Sequence, residues 1–268
     1  MLKKLYRDYV NCKKRRRWVK ETKEIKQFIG LPSTAKEYYA DSKILVIAPH
    51  ADDELIGCHR LISHYPDNVT VFYCSYLGSN YDENNRVIRE KEIREFTNHY
   101  NVDLVVSCPP NVSKDLVDVI LRLKPEIIFL PSIVDWHSEH RLVNTIIAEI
   151  INVCPETIGW YHVSMPIPRE YINAYCSMTP EQQMTKWLDM RSFYLSQLHI
   201  DAERFILVEK LTGEDETAVE SYLLLSKNDF ISKVENSRFY EKELNSLKST
   251  LGYLNCMYNK TSEIYNEI

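Results

Sequence analysis

The stretch 43–77, KILVIAPHADDELIGCHRLISHYPDNVTVFYCSYL, decides the fold. It contains one continuous apolar run at 43–50 and a second at 68–77. Such runs are typical of strands that are buried on both faces of a parallel sheet. Between them, the apolar residues of 54–65 recur at helical spacing. A strand, a helix and a strand in this order predict a βαβ unit.

The same alternation continues along the chain. Further strands are predicted at 103–108, 125–132, 157–165 and 204–209, and further helices at 83–100, 113–124, 139–154 and 181–198. This pattern predicts an α/β fold, a Rossmann-like, mostly parallel sheet with helices on both faces and helical N- and C-terminal extensions. We expect three parts: a basic helical extension over 1–40, the α/β domain over 41–212, and a helical extension over 213–268 that packs on the core or forms an interface.

The composition excludes several classes of protein. The chain has 268 residues, of which 44% are hydrophobic and 26% charged, and these values are ordinary for a globular protein. No stretch reaches the about 18 apolar residues of a membrane-spanning helix, and the first residues lack the apolar segment of a secretory signal. The seven cysteines are scattered and odd in number, which fits reduced thiols. A cytoplasmic protein is therefore expected.

The charge is distributed unevenly. Residues 1–30 contain 11 Lys and Arg against 3 Asp and Glu, so the rest of the chain carries a net charge of −13. A basic arm on an acidic body is expected to dock on an anionic surface. Three anionic surfaces stay open: a membrane, a neighbouring subunit of a homo-oligomer, and the acidic body of the same chain. Docking on a membrane would make the protein membrane-peripheral. Nucleic acid is not an expected partner, because the acidic body repels phosphate.

Two polar segments follow predicted strands. Ligands of open α/β sheets bind beyond the carboxyl ends of the strands. The segment 49–54, PHADDE, holds one imidazole and three carboxylates, more than a helix cap requires. The segment 135–140, DWHSEH, places His137 and His140 at a spacing that puts both on one face of a helix. Both segments are expected on the same rim of the sheet.

These residue types suit metal-assisted hydrolysis. His50, one of the adjacent aspartates and His140 can supply three ligands and leave a fourth position open, as in catalytic zinc sites. The other aspartate can then act as general base on the metal-bound water. A further histidine can stabilise an oxyanion or protonate a leaving amine. The residues alone therefore predict hydrolysis of an acyl bond.

The stretch 44–54, ILVIAPHADDE, resembles the A-H-P-D-D-E signature of the PIG-L/LmbE-type N-acetylglucosamine deacetylases. Four further segments in the family's order carry the resemblance over roughly 43–210: the R-x-x-E-like pattern at 89–92 within the predicted helix 83–100, DWHSEHR at 135–141, a K-x₇-Y-x-S-Q pattern at 186–197, and A-E-x-F at 202–205. It implies that 41–212 is a deacetylase domain. This domain would use zinc to remove the N-acetyl group of a GlcNAc-like amino-sugar conjugate.

The resemblance also implies roles for individual residues. His50, Asp53 and His140 would bind one zinc ion per chain, with other divalent transition metals as alternatives. Asp52 would be the general base that activates the metal-bound water. His137 would stabilise the tetrahedral oxyanion or help the amine to leave.

Three more residues have roles implied in the same way. Arg89 would contact the sugar or its attached group. Asp135 or Glu139 would support the two histidines. The sequence departs from the family at Ala51, at Ser138-Glu139 and at Cys58-His59, where proline, Pro-Asp and Gly-Gly are usual. None of these departures removes a ligand, and His59 is expected to be a packed or surface residue.

Two other functions stay open at this point. Paired acids after the first strand of an α/β sheet also suit a Mg²⁺-dependent protein that handles phosphate. The histidine pair argues against this alternative, because imidazole prefers zinc and similar metals. The other alternative is a catalytically silent, sugar-binding member of the fold, and the presence of Asp52 argues against it.

Overall fold

The computed structural model describes residues 2–78, 82–198, 202–213 and 217–268, with side chains from residue 12 onward. The strands are β1 (Lys36–Glu37), β2 (Ile44–Ala48), β3 (Val69–Tyr73), β4 (Asp103–Val106), β5 (Ile127–Pro131), β6 (Thr157–Tyr161), β7 (Ala174–Met178) and β8 (Ala218–Ser226). The helices are α1 (Leu2–Glu21), α2 (Asp53–His64), α3 (Glu83–Tyr100), α4 (Val112–Leu123), α5 (Ser138–Glu149), α6 (Pro180–Phe193), α7 (Ala202–Thr212), α8 (Lys227–Ser237), α9 (Glu241–Ser246) and α10 (Leu254–Glu267).

The strands form one sheet in the order β1-β7-β8-β6-β5-β2-β3-β4. The neighbouring pairs are parallel except those of β8, which runs antiparallel to both β6 and β7. Each residue of β2 and β3 is buried, as expected for strands covered on both faces. The predicted fold class, a mostly parallel α/β sheet, is therefore confirmed.

Successive residues of β2 point into two separate cores. Leu45 and Ile47 belong to the core that also contains Leu116, Val143 and residues of the C-terminal helices. Ile44 and Val46 belong to the opposite core. This second core also contains apolar residues of α2, α3 and α6, namely Leu55, Ile93, Phe96, Trp187 and Met190. The alternation of side chains along a strand thus covers both faces of the sheet with helices.

Two sequence predictions are wrong. The run 204–209 was expected to be a strand, but it lies within the helix α7, because a short apolar run does not distinguish a strand from a buried helix. The segment 213–268 was expected to be helical, but β8 occupies the middle of the sheet. Glu220 lies in β8, and a carboxylate normally argues against a buried strand. Here Glu220 is fully buried and accepts a 2.7 Å hydrogen bond from Lys186 Nζ.

The basic N-terminal arm packs on the C-terminal region of the same chain. The Trp18 indole is buried and its Nε1 donates to Gly252 O at 3.2 Å. Glu21 accepts a 2.7 Å hydrogen bond from the backbone of Leu254, at the start of α10. Among the described helices, none is long and apolar enough to cross a membrane.

Gly57, in the middle of α2, allows this helix to lie against β6. A β-carbon at this position would stand 2.0 Å from the ring of Tyr161, which is fully buried. We predict that Gly57→Ala lowers the free energy of unfolding by about 1–3 kcal/mol, because the ring has no space to retreat. Chemical denaturation measures this change.

Gly252→Ala is the matched control, since a β-carbon at Gly252 would meet no atom within 4 Å. Equal stability of the two variants would show that Tyr161 and α2 are not packed as described.

Candidate functional site

The site lies at the ends of two neighbouring strands, β2 and β5, after which the chain continues to opposite sides of the sheet. After β2 the chain continues to its neighbour β3, and after β5, the other neighbour of β2, it continues to β6. Such a switch point opens a crevice at the carboxyl ends of the two strands. His50 follows β2, and His137 and His140 follow β5. The two polar segments of the sequence therefore meet in one crevice.

Three potential ligand atoms of these segments converge. His50 Nδ1 lies 3.1 Å from Asp53 Oδ2 and 3.1 Å from His140 Nε2. His140 Nε2 lies 3.2 Å from Asp53 Oδ2. Asp53 and His140 are almost completely buried, whereas His50 is partly exposed toward the crevice.

This spacing fits a single small cation. Two ligand atoms about 2.1 Å from a tetrahedral zinc ion lie about 3.4 Å apart, close to the separations observed here. The imidazole nitrogens of His50, His137 and His140 form a second group, but its members are only within 4.8 Å of one another. The set with Asp53 is more compact and includes an anion, so we take His50, Asp53 and His140 as the residues that could hold a metal.

Carboxylates orient both histidines from outside this set. Glu139 Oε2 accepts a 2.7 Å hydrogen bond from His50 Nε2, and Glu139 Oε1 accepts one from the backbone of Gly78. Asp135 Oδ2 lies 3.2 Å from His140 Nδ1, while Asp135 also accepts from the backbone of His137. A carboxylate behind each histidine directs the opposite ring nitrogen toward the metal position.

The electrostatics of the metal-free site favour positive charge. Burial lowers the pKa of both histidines, but the carboxylates outweigh burial and raise the pKa of His50 to about 9 and that of His140 to about 10. Burial raises the pKa of Asp53, but His140 and His50 outweigh it and hold this pKa well below the ordinary value. A cation at the same position would replace the two protons.

Asp52 is held in a strained conformation beside this set. Its φ of 133° is rare for a residue other than glycine, and such strain is common at functional sites. Its backbone N–H donates to Glu54 Oε2 at 3.2 Å, and Glu54 also accepts from the Tyr194 hydroxyl. Burial, and then the charge of Asp53, raise the pKa of Asp52 well above its usual range.

His137 faces the same crevice. Its ring centroid lies 4.3 Å from that of His50 and 5.0 Å from that of His140. Burial, reinforced by the neighbouring histidines, lowers the pKa of His137 to about 4, so its imidazole is neutral at pH 7. A neutral imidazole can donate one hydrogen bond to an oxyanion.

The crevice opens into a cavity of about 410 Å³. The predicted residues His50, Asp52, Asp53, Arg89, His137 and His140 all line it. Arg89 on α3 donates to Ala51 O at 3.3 Å, so the guanidinium lies beside the turn that carries the aspartates. The volume is within the range of about 300–1,000 Å³ that is usual for ligand pockets.

Several contributors to the site were not found in the sequence. Lys14 and Trp18 of α1 line the same cavity, although about 30 residues of chain separate them from β2. No sequence signal could have found them, because their proximity depends on how α1 packs. Glu54 is the residue that steadies Asp52, and it could have been recognised only as a member of the PHADDE segment.

Two residues of the Lys186–Gln197 segment, Lys186 and Tyr194, bind residues of α2. Lys186 Nζ is completely buried and donates to Ile56 O at 2.7 Å, while Glu209 and Glu220 each lie 2.7 Å from it. Both carboxylates outweigh the effect of burial and raise the pKa of Lys186. Tyr194, eight residues further, binds Glu54. The K-x₇-Y pattern thus fixes the helix that begins at the aspartates.

His59 is a packed residue, as expected. It is buried and hydrogen-bonds Asp189 at 2.8 Å and the hydroxyl of Tyr100 at 3.2 Å. It is not among the residues that line the cavity. The preceding Cys58 has a non-helical φ of −136°, which kinks α2.

The fold and the crevice together define an open-sheet α/β protein with a histidine and carboxylate site at its switch point. Residues 45–151 match the family model described as PIG-L, GlcNAc-PI de-N-acetylase. This match confirms the resemblance seen in the sequence. The matched segment includes all eight residues for which the sequence implied a role.

Solved structures share the fold at low sequence identity. One is a deacetylase triple mutant involved in the teicoplanin biosynthetic pathway, with a TM-score of 0.53, 13% identity, and coverage of 70% of this chain and 100% of that one. Another is a deacetylase–teicoplanin complex, with a TM-score of 0.51, 11% identity, and coverage of 69% and 98%. A comparison with curated proteins finds no match.

Glu139 provides the first test of the site. We predict that Glu139→Gln weakens zinc binding about tenfold, because the amide still accepts from His50 Nε2 but carries no charge. Competition with a chromogenic chelator measures the affinity. Glu149 is an exposed residue on the same helix, so Glu149→Gln is the control and should leave the zinc affinity unchanged. Equal zinc affinities of the two variants would show that Glu139 does not support the metal ligands.

The pH dependence of zinc binding provides a second test. Below about pH 9 the metal-free site holds protons on His50 and His140, and zinc has to displace them. We therefore predict that zinc affinity rises with pH, by at least about tenfold per unit between pH 7 and 9. Chelator competition at several pH values gives the slope. An affinity that does not change with pH would rule out these two histidines as the ligands.

Proposed function

We propose that this chain is a zinc-dependent deacetylase that hydrolyses the N-acetyl group of an amino-sugar conjugate. The observation that carries the proposal is the convergence of His50 Nδ1, Asp53 Oδ2 and His140 Nε2 to within 3.2 Å of one another. The match of 45–151 to the GlcNAc-PI de-N-acetylase model supports the reaction and the amino-sugar substrate.

His50, Asp53 and His140 would hold the zinc ion in the position that their three atoms surround. When bound, zinc supplies Lewis acidity toward a water molecule and the amide carbonyl. Bound by two imidazoles and one carboxylate, a tetrahedral zinc ion would keep one position for water or substrate. The same donor set disfavours the magnesium alternative, because Mg²⁺ prefers oxygen ligands in octahedral geometry.

Asp52 is the general base of this proposal. It neighbours Asp53 in the chain, lines the cavity and is almost completely buried. Burial raises its pKa, and a more basic carboxylate accepts a proton from water more readily. After the attack, Asp52 holds this proton and can pass it to the amine nitrogen as the C–N bond breaks. Acetate and the amino sugar are then the products.

His137 and Arg89 act on the substrate. The neutral imidazole of His137 can donate a hydrogen bond to the carbonyl oxygen as negative charge develops on it. Arg89 lies beside Ala51 O on the cavity wall, where it can bind the sugar or the group attached to it. Asp135 and Glu139 act only through the histidines, which they orient.

The decisive experiment measures metal content and acetate release together. Protein purified without added metal is analysed for zinc and then assayed on a panel of N-acetylglucosamine conjugates. We predict about one zinc per chain and a fall of about 10²–10⁴ in acetate release in Asp52→Asn, which keeps the shape of the side chain but removes the base. Asp67→Asn, an exposed substitution, is the control and should retain full activity.

The outcomes separate the alternatives. Zinc without acetate release from any conjugate would refute the deacetylase while preserving the metal site. A chain that binds magnesium but no transition metal, even after reconstitution, would refute the His50–Asp53–His140 set. Equal activity of Asp52→Asn and the wild type would remove Asp52 as the base.

A further inference from the structure

Helix α6 buries polar side chains and exposes apolar ones. Its buried residues are Gln183, Lys186, Trp187, Asp189 and Met190. The three polar members hydrogen-bond residues of α7, β8 and α2, respectively. On the outer side of the helix, Met184 and Leu188 are 62% and 52% exposed. A surface helix normally turns its apolar residues toward the core, so the outer face of α6 is suited to contact another molecule.

The exposed residues along this face are regularly spaced. Intervals of three and four residues alternate along six exposed positions: Glu181, Met184, Leu188, Arg191, Leu195 and Leu198. Residues with this heptad spacing form the seam between two packed helices. The first four positions lie within α6 and occupy about 80° of its circumference, and the two leucines that follow the helix are 62% and 56% exposed. Single apolar residues are common on protein surfaces, but four at heptad spacing indicate a docking face.

The two charged positions of this face are complementary. Glu181 lies in the first turn of α6 and Arg191 in the last, and the midpoint of the pair is residue 186. Residue 186 is also the midpoint of Met184 and Leu188. A second α6 that runs antiparallel about this midpoint therefore places Glu181 beside Arg191 of the second copy. It also places Met184 beside Leu188 of the second copy, and two-fold symmetry repeats both contacts.

We propose that the outer face of α6 is the interface of a symmetric dimer of this chain, in which the two α6 helices run antiparallel. A lipid bilayer is a poorer occupant, because an anionic membrane surface repels Glu181, whereas a second copy pairs both charges. The helix has 14 residues and is about 21 Å long, so the interface is small and its dissociation constant is expected in the micromolar range. The dimer does not depend on the proposed deacetylase function.

Sedimentation equilibrium of the full chain between about 5 and 200 μM tests the dimer. We expect the wild type to approach twice the mass of one chain at the upper concentrations. Leu188→Glu should raise the dissociation constant at least about 100-fold, because it places an unpaired charge on each side of the interface. Leu121→Glu is the matched control and should dimerise like the wild type. Leu121 is 55% exposed and lies on α4, which packs on the opposite face of the sheet.

Charge reversal tests the antiparallel arrangement. Glu181→Arg and Arg191→Glu should each raise the dissociation constant about tenfold, since each places like charges side by side twice. The double variant restores opposite charges at both contacts and should return the constant to within about threefold of the wild-type value. A helix damaged by either substitution would not recover in the double variant, so recovery identifies the two residues as partners across the interface.

Four results would overturn this interface. A wild type that stays monomeric at about 200 μM does not form the dimer. A dimer that persists in Leu188→Glu uses another surface, and a double charge variant that is no better than the single ones excludes the antiparallel pairing. Sedimentation with vesicles of phosphatidylcholine and phosphatidylglycerol that is lost in Leu188→Glu would assign the outer face of α6 to a membrane instead of a second copy.

Discussion

The burial of carboxylates at the switch point of the sheet is the constraint on which the rest of the site depends. Asp52 and Asp53 are both almost completely buried, and buried anions are costly unless they are paired. Asp53 is paired with His50 and His140. Burial, and then the charge of the neighbouring Asp53, raises the pKa of Asp52. The pairing of Asp53 creates a position for a cation, and the burial of Asp52 beside it makes that carboxylate more basic.

The surrounding fold is organised to hold that arrangement. The strained backbone of Asp52 requires support, and Glu54, bound by Tyr194, provides it. One turn further along α2, Lys186 binds Ile56 O and pairs with buried carboxylates. Removing one member of such a buried group leaves an unpaired charge, which typically costs about 3–5 kcal/mol. The position of the aspartates therefore depends on the buried charges of Lys186 and its carboxylate partners, which are not among the residues that line the cavity.

The sequence predicted what local patterns determine and missed what depends on tertiary pairing. The apolar periodicity of 43–77 was enough to predict β2, α2 and β3, because these elements are buried on both faces or along one stripe. The strand β8 was missed because Glu220 interrupts its apolar pattern. The carboxylate is compatible with a buried strand because it accepts hydrogen bonds from Lys186 Nζ, the backbone of Arg60 and the Tyr222 hydroxyl. Residues next to the strand ends were found, since the position of a site in an open sheet follows from topology.

The residues that line the cavity come from separate parts of this chain. The proposed metal ligands and base come from two short segments after β2 and β5, both within 45–151. Other lining residues come from α1, from Arg204 at the start of α7, and from Leu251 before α10. These segments pack on the sheet and contribute no strand to it. The proposed catalytic groups are therefore positioned by the segments that follow two strands, whereas part of the cavity lining is added by helices that pack on the sheet.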